Sequence, residues 1–226
     1  MLIFRGLTSA TLGGMKSTHI LLLAFLLPVF SLTALAAEPA TLVPPAEKIA
    51  GHSQVDWSRM WWQWAGSFAQ HESPVSDKKG SRCHLGQDGE VWFLAGTYGT
   101  ARTIRTCTVP AGKHLFFPLI NYVMTRGTGF SLSCEMAISG AKRMTDDVSS
   151  LVLEVDGKLF KNLEVHRQAT RQCFDLAELA GGGLSPSAAN GYYVMLRPLS
   201  RGTHTLNFGG RMSDLSQAIT YTLIVE

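Results

Sequence analysis

Short runs of strand-forming residues, separated by turn residues, occupy most of the chain from residue 91 to its end at residue 226. Apolar or β-branched segments recur along this stretch, at residues 91–95, 102–109, 114–120, 192–196, 203–208 and 218–225. Turns that contain glycine or proline lie between them, as they do between the strands of all-β domains. The pattern predicts a mainly β fold, either an antiparallel β-sandwich or a jelly-roll-like domain.

Turn residues also predict local pairings. The first two of these segments are expected to form a β-hairpin with a loose, glycine-containing connection. Asp156-Gly157 lies between the apolar runs 151–155 and 158–160, which is the preferred sequence of a type I′ hairpin turn. Pro118 interrupts the third segment, so an edge strand or a bulge is expected there.

An amphipathic, Trp-rich helix is predicted to precede the strands. Ser53 and Asp56 have the spacing of a capping box. Four aromatic residues then recur at helical spacing and form one narrow stripe: Trp57, Trp61, Trp64 and Phe68. We expect the stripe to pack in the core by covering an open face or edge of the sheet. One further short helix is predicted over residues 131–143.

Residues 1–36 have the features of a cleavable secretory signal. An apolar stretch follows Lys16 and ends in Ala34-Leu35-Ala36. Residues 1–14 are either an upstream mis-start before Met15 or an extended leader. A membrane anchor is the weaker alternative, because the stretch is shorter than a membrane span and contains Pro28.

The signal predicts a secreted or periplasmic protein with no stable membrane insertion after cleavage. Residues 37–52 contain three prolines and no periodicity, and are expected to form a linker. Residues 53–226 are then long enough for a single β-rich domain.

Charge argues against a nucleic-acid partner. The formal net charge of the whole chain is +3, and it falls to +1 after cleavage because the leader contains Arg5, Lys16 and no acidic residue. The mature part has no block of Lys or Arg, so no binding of nucleic acid or of an anionic membrane is expected.

The four cysteines are Cys83, Cys107, Cys134 and Cys173, and all lie in the part expected to be exported, where oxidising conditions favour disulfides. Three pairings are possible. We favour Cys83 with Cys107 and Cys134 with Cys173, because each bond closes a local loop. A zinc site is the alternative, but the chain has neither C-x-x-C spacing nor a matching His pair, and no metal is expected.

Three motifs carry a resemblance to a known group of proteins. They are WSRMWWQW at residues 57–64, CHLGQDGEVWFLAG at 83–96 and RTCTVPAGK at 105–113, and the pattern continues through GYY at 191–193 and PLSRGTH at 198–204. The chain resembles a family of uncharacterised bacterial secreted proteins over most of its mature length. The resemblance implies a bacterial, exported origin and supplies no catalytic residues.

Candidate catalytic groups are weak. The sequence has no G-x-S-x-G elbow, no H-E-x-x-H, no phosphate-binding glycine loop and no cofactor motif, so no cofactor is expected. His84 and His114 are candidates only because imidazole can act as an acid or base near neutral pH. The loop acids Asp77, Asp88 and Glu90 could join them in a hydrolase with an unrecognised site, although Asp88 is better explained by its Asp-Gly turn.

Binding is the favoured hypothesis. Trp62 projects away from the aromatic stripe, so it needs either a second packing partner or a ligand. Gln87 and Asn121 flank apolar strands and could bind a ligand or cap strand ends. We expect a binding module for a glycan or for an envelope protein, with a structural or assembly role in the cell envelope as the remaining alternative.

Overall fold

Nine strands and two α-helices make up the part of the chain that the computed structural model describes, which comprises residues 38–98, 101–126, 131–213 and 215–226. The helices are α1 (Gln54–Gly66) and α2 (Cys134–Thr145). The strands are β1 (Val91–Phe93), β2 (Thr103–Val109), β3 (His114–Thr125), β4 (Val148–Val155), β5 (Lys158–Leu159), β6 (Arg167–Ala169), β7 (Ser187–Leu196), β8 (Gly202–Met212) and β9 (Leu215–Val225). The predicted signal peptide, residues 1–36, lies outside the described residues.

The strands form two sheets that pack as a sandwich. The four-stranded sheet has the order β1-β3-β7-β6, and the five-stranded sheet has the order β2-β9-β8-β4-β5. β1 runs parallel to β3 and β2 runs parallel to β9, whereas all the other pairs are antiparallel. The fold is mainly β and sandwich-like, as predicted, and both sheets are mixed.

The expected hairpin between the first two segments is wrong. Val91 of β1 lies opposite His114 of β3, and Thr103 of β2 lies opposite Ile219 of β9. The chain between β1 and β2 therefore crosses from one sheet to the other. Turn residues show that the chain reverses or breaks, but they do not show which strand it will pair with.

The other local predictions are confirmed. β4 and β5 form a hairpin through Asp156 and Gly157, which both have positive φ (51° and 79°) as a type I′ turn requires. The register between β3 and β7 shifts between Pro118 and Ile120, so the proline marks a bulge in a central strand.

A continuous apolar core fills the space between the sheets. Phe117 of β3 packs on Phe208 of β8 with ring centroids 4.4 Å apart, and Phe208 stacks on Tyr221 of β9. β2 alternates between buried and exposed residues because only one of its faces meets this core. Every residue of β7 is buried, which shows that the four-stranded sheet is covered on both faces.

Helix α1 covers the outer face of the four-stranded sheet, and Ser53 and Asp56 form its capping box. The predicted stripe packs there: Trp57, Trp61 and Trp64 are at most 9% exposed and lie against Phe93 and its neighbours. Each of the three indole nitrogens donates to a backbone carbonyl, those of Ile49, Leu94 and Leu85 respectively. The three tryptophans of the stripe are therefore core, because their apolar area is buried and their N–H groups have acceptors, whereas Phe68 lies beyond the end of α1 and is half-buried.

The segment that we predicted to be a linker, residues 37–52, is described from residue 38 onward and packs against the sheet. Leu42 bridges to Leu196 at the end of β7, and the backbone N–H of Val43 donates to Met195 O at 2.8 Å. The Arg197 guanidinium pairs with Glu47 at 2.7 Å. These contacts make residues 41–47 part of the domain, because the end of β7 beyond β6 needs a hydrogen-bonding neighbour.

Both favoured disulfides are present. Cys83–Cys107 ties the long loop before β1 to β2, and Cys134–Cys173 ties the start of α2 to the chain after β6. Helix α2 packs against β3 and β7, with Gly140 so close to Met124 that a Cβ would lie 2.7 Å from its Cε. Neither helix in the described ranges is long and apolar enough to cross a membrane.

Arg105 joins the loop before β1 to both sheets. Its side chain is 1% exposed, and its guanidinium donates five hydrogen bonds without a carboxylate partner. The acceptors are Val75 O, Asp77 O, Ala95 O, Gly96 O and Tyr221 Oη, at distances between 2.6 and 3.1 Å. A buried cation is tolerated because each of its three nitrogens donates to at least one oxygen.

Arg105→Met should lower the free energy of unfolding by about 4 kcal/mol, because it leaves several buried carbonyls without a donor. Urea unfolding under non-reducing conditions measures this. Arg201→Met is the control: it removes the same charge from an exposed residue and should change stability by less than about 0.5 kcal/mol. Equal effects of the two substitutions would show that the buried guanidinium is not needed.

Candidate functional site

Trp62 is half-buried on α1, on a different face from the aromatic stripe. Its ring meets Trp61 edge-on at 5.1 Å and packs beside Phe174 in a small apolar cluster. Its Nε1 donates to the hydroxyl of Tyr193 at 2.7 Å. The indole therefore has the second packing partner that the sequence required of it, because α1 lies between the sheet and the chain after β6.

The Tyr193 hydroxyl brings together two of the predicted binding residues. Besides Trp62 it accepts a hydrogen bond from Asn121 Nδ2 at 3.2 Å, and burial raises the pKa of Tyr193. Asn121 lies opposite Gly191, where any Cβ would fall 2.6 Å from the Asn121 Cα. The close approach of β3 and β7 at this glycine thus holds Asn121 next to the hydroxyl.

Gln87 lies elsewhere and closes an edge of the sheet. Its side-chain Oε1 accepts from Phe93 N at 2.9 Å, and its Nε2 donates to Phe93 O and to Cys83 O, both at 2.9 Å. The amide thus replaces the missing neighbour strand of β1. Of the two roles considered for Gln87, the structure shows the capping role.

A cleft of about 710 Å³, the α1 cleft, lies between the first half of α1 and the chain after β6. Its lining residues are Ser53, Val55, Asp56 and Arg59 from α1, and Thr170, Arg171, Gln172, Cys173, Phe174 and Glu178 from the opposite side. Trp62 packs against the apolar cluster that contains Phe174, so it lies close to one wall of the cleft without lining it. Within the described residues, no side-chain hydrogen bond engages the exposed Arg171 and Gln172.

A chain of hydrogen bonds connects the two walls of the α1 cleft. Arg59 Nη1 donates to Gln63 Oε1 at 3.1 Å. Gln63 Nε2 in turn donates to Asp175 O at 3.2 Å and to the Glu178 carboxylate. On the α1 side, the hydrogen bond from the Ser53 side chain lowers the pKa of Asp56. The cleft therefore presents fixed carboxylate and guanidinium groups.

Asp175 orders the glycine-rich loop behind this wall. Its carboxylate accepts from the backbone N–H groups of Gly183 at 2.8 Å, Leu184 at 3.1 Å and Ala177 at 2.9 Å, and these bonds, that of Gly183 first, lower its pKa. The glycines Gly181 and Gly182 have φ of 98° and 80°, a region that other residues rarely adopt. The loop that contains the glycine run is thus an ordered turn, held by the Asp175 carboxylate.

The histidine candidates do not form a catalytic group along the described residues. His84 is exposed, whereas His114 is half-buried and burial lowers its pKa, with a further lowering by the Arg197 charge. No hydrogen bond or ion pair in the described ranges joins either histidine to the other or to a carboxylate. Asp77 instead accepts from the N–H groups of its own loop, those of Lys79 and Arg82.

One arrangement that the sequence did not indicate has the order acid, imidazole, hydroxyl. His204 Nδ1 lies 2.7 Å from Asp156 Oδ2, and its Nε2 lies 3.5 Å from Ser200 Oγ. The same Nε2 lies only 2.8 Å from the Ser200 carbonyl, so it is engaged there and does not receive the hydroxyl proton as a nucleophilic triad requires. The group fastens the β4–β5 turn to the start of β8.

Comparison with known proteins adds little. No family model matches the chain, and a search of the curated proteins finds no match. Two solved structures show a weak likeness. The structure of PbICP-C in complex with falcipain-2 has 14% identity and a TM-score of 0.26, covering 61% of this chain and 98% of that one. The solution structure of amebosin has 11% identity and a TM-score of 0.20, covering 55% and 96%. Scores this low support no conclusion about function.

Trp62→Ala should lower the free energy of unfolding by about 3 kcal/mol, because it removes the packing against the cluster that contains Phe174 and a partly buried hydrogen bond. Trp62→Phe keeps a ring and should cost only about 1 kcal/mol. Urea unfolding compares both with Leu179→Ala, a control at a side chain that is 67% exposed. An unchanged stability for Trp62→Ala would mean that the indole is a surface group.

Asp175→Asn should destabilise the protein in a pH-dependent way. Because the folded-state pKa of Asp175 is lowered, its contribution is fully present above the unfolded pKa of about 3.9 and is lost as the pH falls through the folded value. The stability difference between wild type and Asp175→Asn, measured by urea unfolding, should therefore shrink as the pH is lowered below about 4. Glu164→Gln, at an exposed residue, should show no such trend. A difference independent of pH would contradict the role given to the carboxylate.

Proposed function

We propose that this chain is an exported binding module that takes up a short, uncharged glycan in the α1 cleft. The observation that carries the proposal is the cleft itself. Its volume of about 710 Å³ falls in the range of roughly 300–1,000 Å³ typical of small-molecule sites. It opens beside a helix and a disulfide-tied segment whose positions are both fixed.

The lining groups suit a ligand with many hydroxyls. Arg59 and Arg171 offer donors, whereas Asp56 and Glu178 offer acceptors, so the four charges balance. A sugar hydroxyl both donates and accepts, and it can bridge such a mixed set without bringing a net charge of its own. An anion or a cation would meet one like charge for each opposite charge.

Pre-organisation supports binding. The Cys134–Cys173 bond, the Asp175 turn and the Arg59–Gln63–Glu178 chain hold the wall opposite α1 in place before any ligand arrives. A fixed site loses less conformational entropy on binding than a mobile one. Arg171 and Gln172, which are exposed beside Cys173, are then the groups free to meet the ligand.

Export is part of the proposal. The signal-like leader and the resemblance to bacterial secreted proteins both support it, and the two disulfides fit an oxidising compartment such as the periplasm or the cell exterior. A glycan ligand would be abundant in either location. Binding of an envelope protein through the same cleft is the competing outcome of the experiment below.

Thermal stability in the presence of soluble neutral oligosaccharides tests the proposal. Cello-, chito-, malto- and manno-oligosaccharides serve as probes, and one class should raise the Tm of the mature protein in a concentration-dependent manner, because a ligand at 100 times its Kd adds about 2.7 kcal/mol. Arg171→Ala combined with Gln172→Ala should abolish the shift while leaving the Tm without ligand nearly unchanged.

Arg201→Ala is the matched control, since it removes an exposed arginine outside the cleft and should retain the full shift. If no oligosaccharide shifts the Tm, or if the control loses the shift as the cleft variant does, glycan binding in the α1 cleft is wrong. Retention of an envelope protein that the cleft variant loses would instead assign the cleft to a protein partner.

A further inference from the structure

The outer face of the five-stranded sheet contains a second cavity. Both helices contact strands of the four-stranded sheet, and a groove of about 540 Å³ runs over β9, β8 and β4 of the other sheet. It lies on the opposite side of the sandwich from α1, and it shares none of its lining residues with the α1 cleft. We call it the transverse groove because it crosses the strands.

The floor of the transverse groove combines two small residues with one exposed valine, Val152. Register places Ala218 of β9 opposite Gly209 of β8, with Val152 of β4 beyond. A Cβ on Gly209 would lie 1.9 Å from Gln217 O, so no larger residue fits there. Ala218 is exposed, and its methyl group and the neighbouring backbone form a shallow depression.

One wall of the groove is a ladder of polar side chains from three strands and from Arg102 beside them. Arg102, just before β2, donates to Thr220 Oγ1 at 3.2 Å, and Thr220 donates to Asn207 Oδ1 at 2.8 Å. Asn207 Nδ2 then donates to Glu154 Oε1 at 2.9 Å. Each side chain is oriented by the next, so the Arg102 guanidinium is held at one end of the groove.

The opposite wall contains a second arginine. Arg211 of β8 is exposed and lies between Ser150 and Ser216 in register. The lining of the groove thus has two guanidinium groups and one carboxylate, and that carboxylate already accepts a hydrogen bond from Asn207. The surplus charge is positive, in contrast to the balanced charges of the α1 cleft.

We propose that the transverse groove binds a uronic-acid polysaccharide, with its carboxylates paired to Arg102 and Arg211. From Arg102, next to the start of β2, to β4 the groove spans about three inter-strand spacings, roughly 14 Å, which is the length of two or three sugar rings. The small floor lets the rings approach the backbone, and guanidinium groups bind carboxylates in a bidentate manner.

Other partners fit less well. A peptide strand cannot add to β8 or β9, because the backbone of each is already paired on both sides. An anionic membrane or a nucleic acid needs a larger group of cations than two arginines. The inference does not depend on the proposed function, because the two sites share no residue and the ligands differ in charge.

Affinity electrophoresis of the mature protein through gels containing polygalacturonate tests the proposal, with fully methyl-esterified polygalacturonate as the matched uncharged polymer. We expect retardation by the acid form and none by the ester. Arg102→Ala combined with Arg211→Ala should weaken binding at least about tenfold, the effect of losing 1.4 kcal/mol. Arg201→Ala, which removes an arginine outside the groove, should bind like wild type.

Ala218→Leu provides a second variant that fills the floor and changes no charge, and it should also weaken binding tenfold or more. Circular dichroism of each variant confirms that it is folded. Absence of retardation by polygalacturonate, equal retardation by the ester, equal loss in Arg201→Ala, or unchanged binding by a folded Ala218→Leu would each overturn the proposal.

Discussion

The buried guanidinium of Arg105 is the interaction on which the rest of the domain depends. A cation with almost no contact with water needs oxygen acceptors around it, and these come from the loop before β1, from the residues just after β1 and from β9. The long polar loop must therefore fold back over β2. Lys79 O then accepts from Thr106 N, and the Cys83–Cys107 bond fastens the same edge. One charged side chain thus explains why the loop before β1 covers the outer edge of β2, which no other strand in the described ranges pairs with.

The two sheets differ in what covers them, and this asymmetry places both proposed sites. The four-stranded sheet is buried on both faces, since one face meets the core and α1 packs on the other. The α1 cleft lies at the margin of this cover, between α1 and the chain that follows β6. The five-stranded sheet has only one covered face, so its outer side chains are free to form a polar ladder. Residues that alternate along β8 and β9 therefore serve the core and the groove in turn.

Local features were predictable from the sequence, whereas long-range contacts were not. The capping box at Ser53, the turn at Asp156-Gly157 and the bulge at Pro118 all depend on neighbours a few residues apart, and the structure confirms them. The disulfide pairing was favoured because local loops close readily. By contrast, β1 and β2 pair with strands that lie in different sheets, and no turn residue encodes that choice. Trp62 meets Tyr193 across 131 positions of sequence, so its packing partner had no local signal.

Because long-range contacts could not be predicted, the candidate sites differ from the binding surface around Trp62 that the sequence suggested. Aromatic content suggested a stacking surface, yet the Trp stripe is buried and Trp62 is tied to a tyrosine. The groups left available for a ligand are instead exposed arginines and amides at the margins of the two layers, such as Arg171 beside the disulfide and Arg211 on the bare sheet face. Their side chains are ordinary in sequence, and only the fold gives them neighbours. Their fixed surroundings support the binding that we propose: Gly209, which leaves no room for a Cβ, a carboxylate-centred turn and a ladder of hydrogen bonds all exist without a ligand.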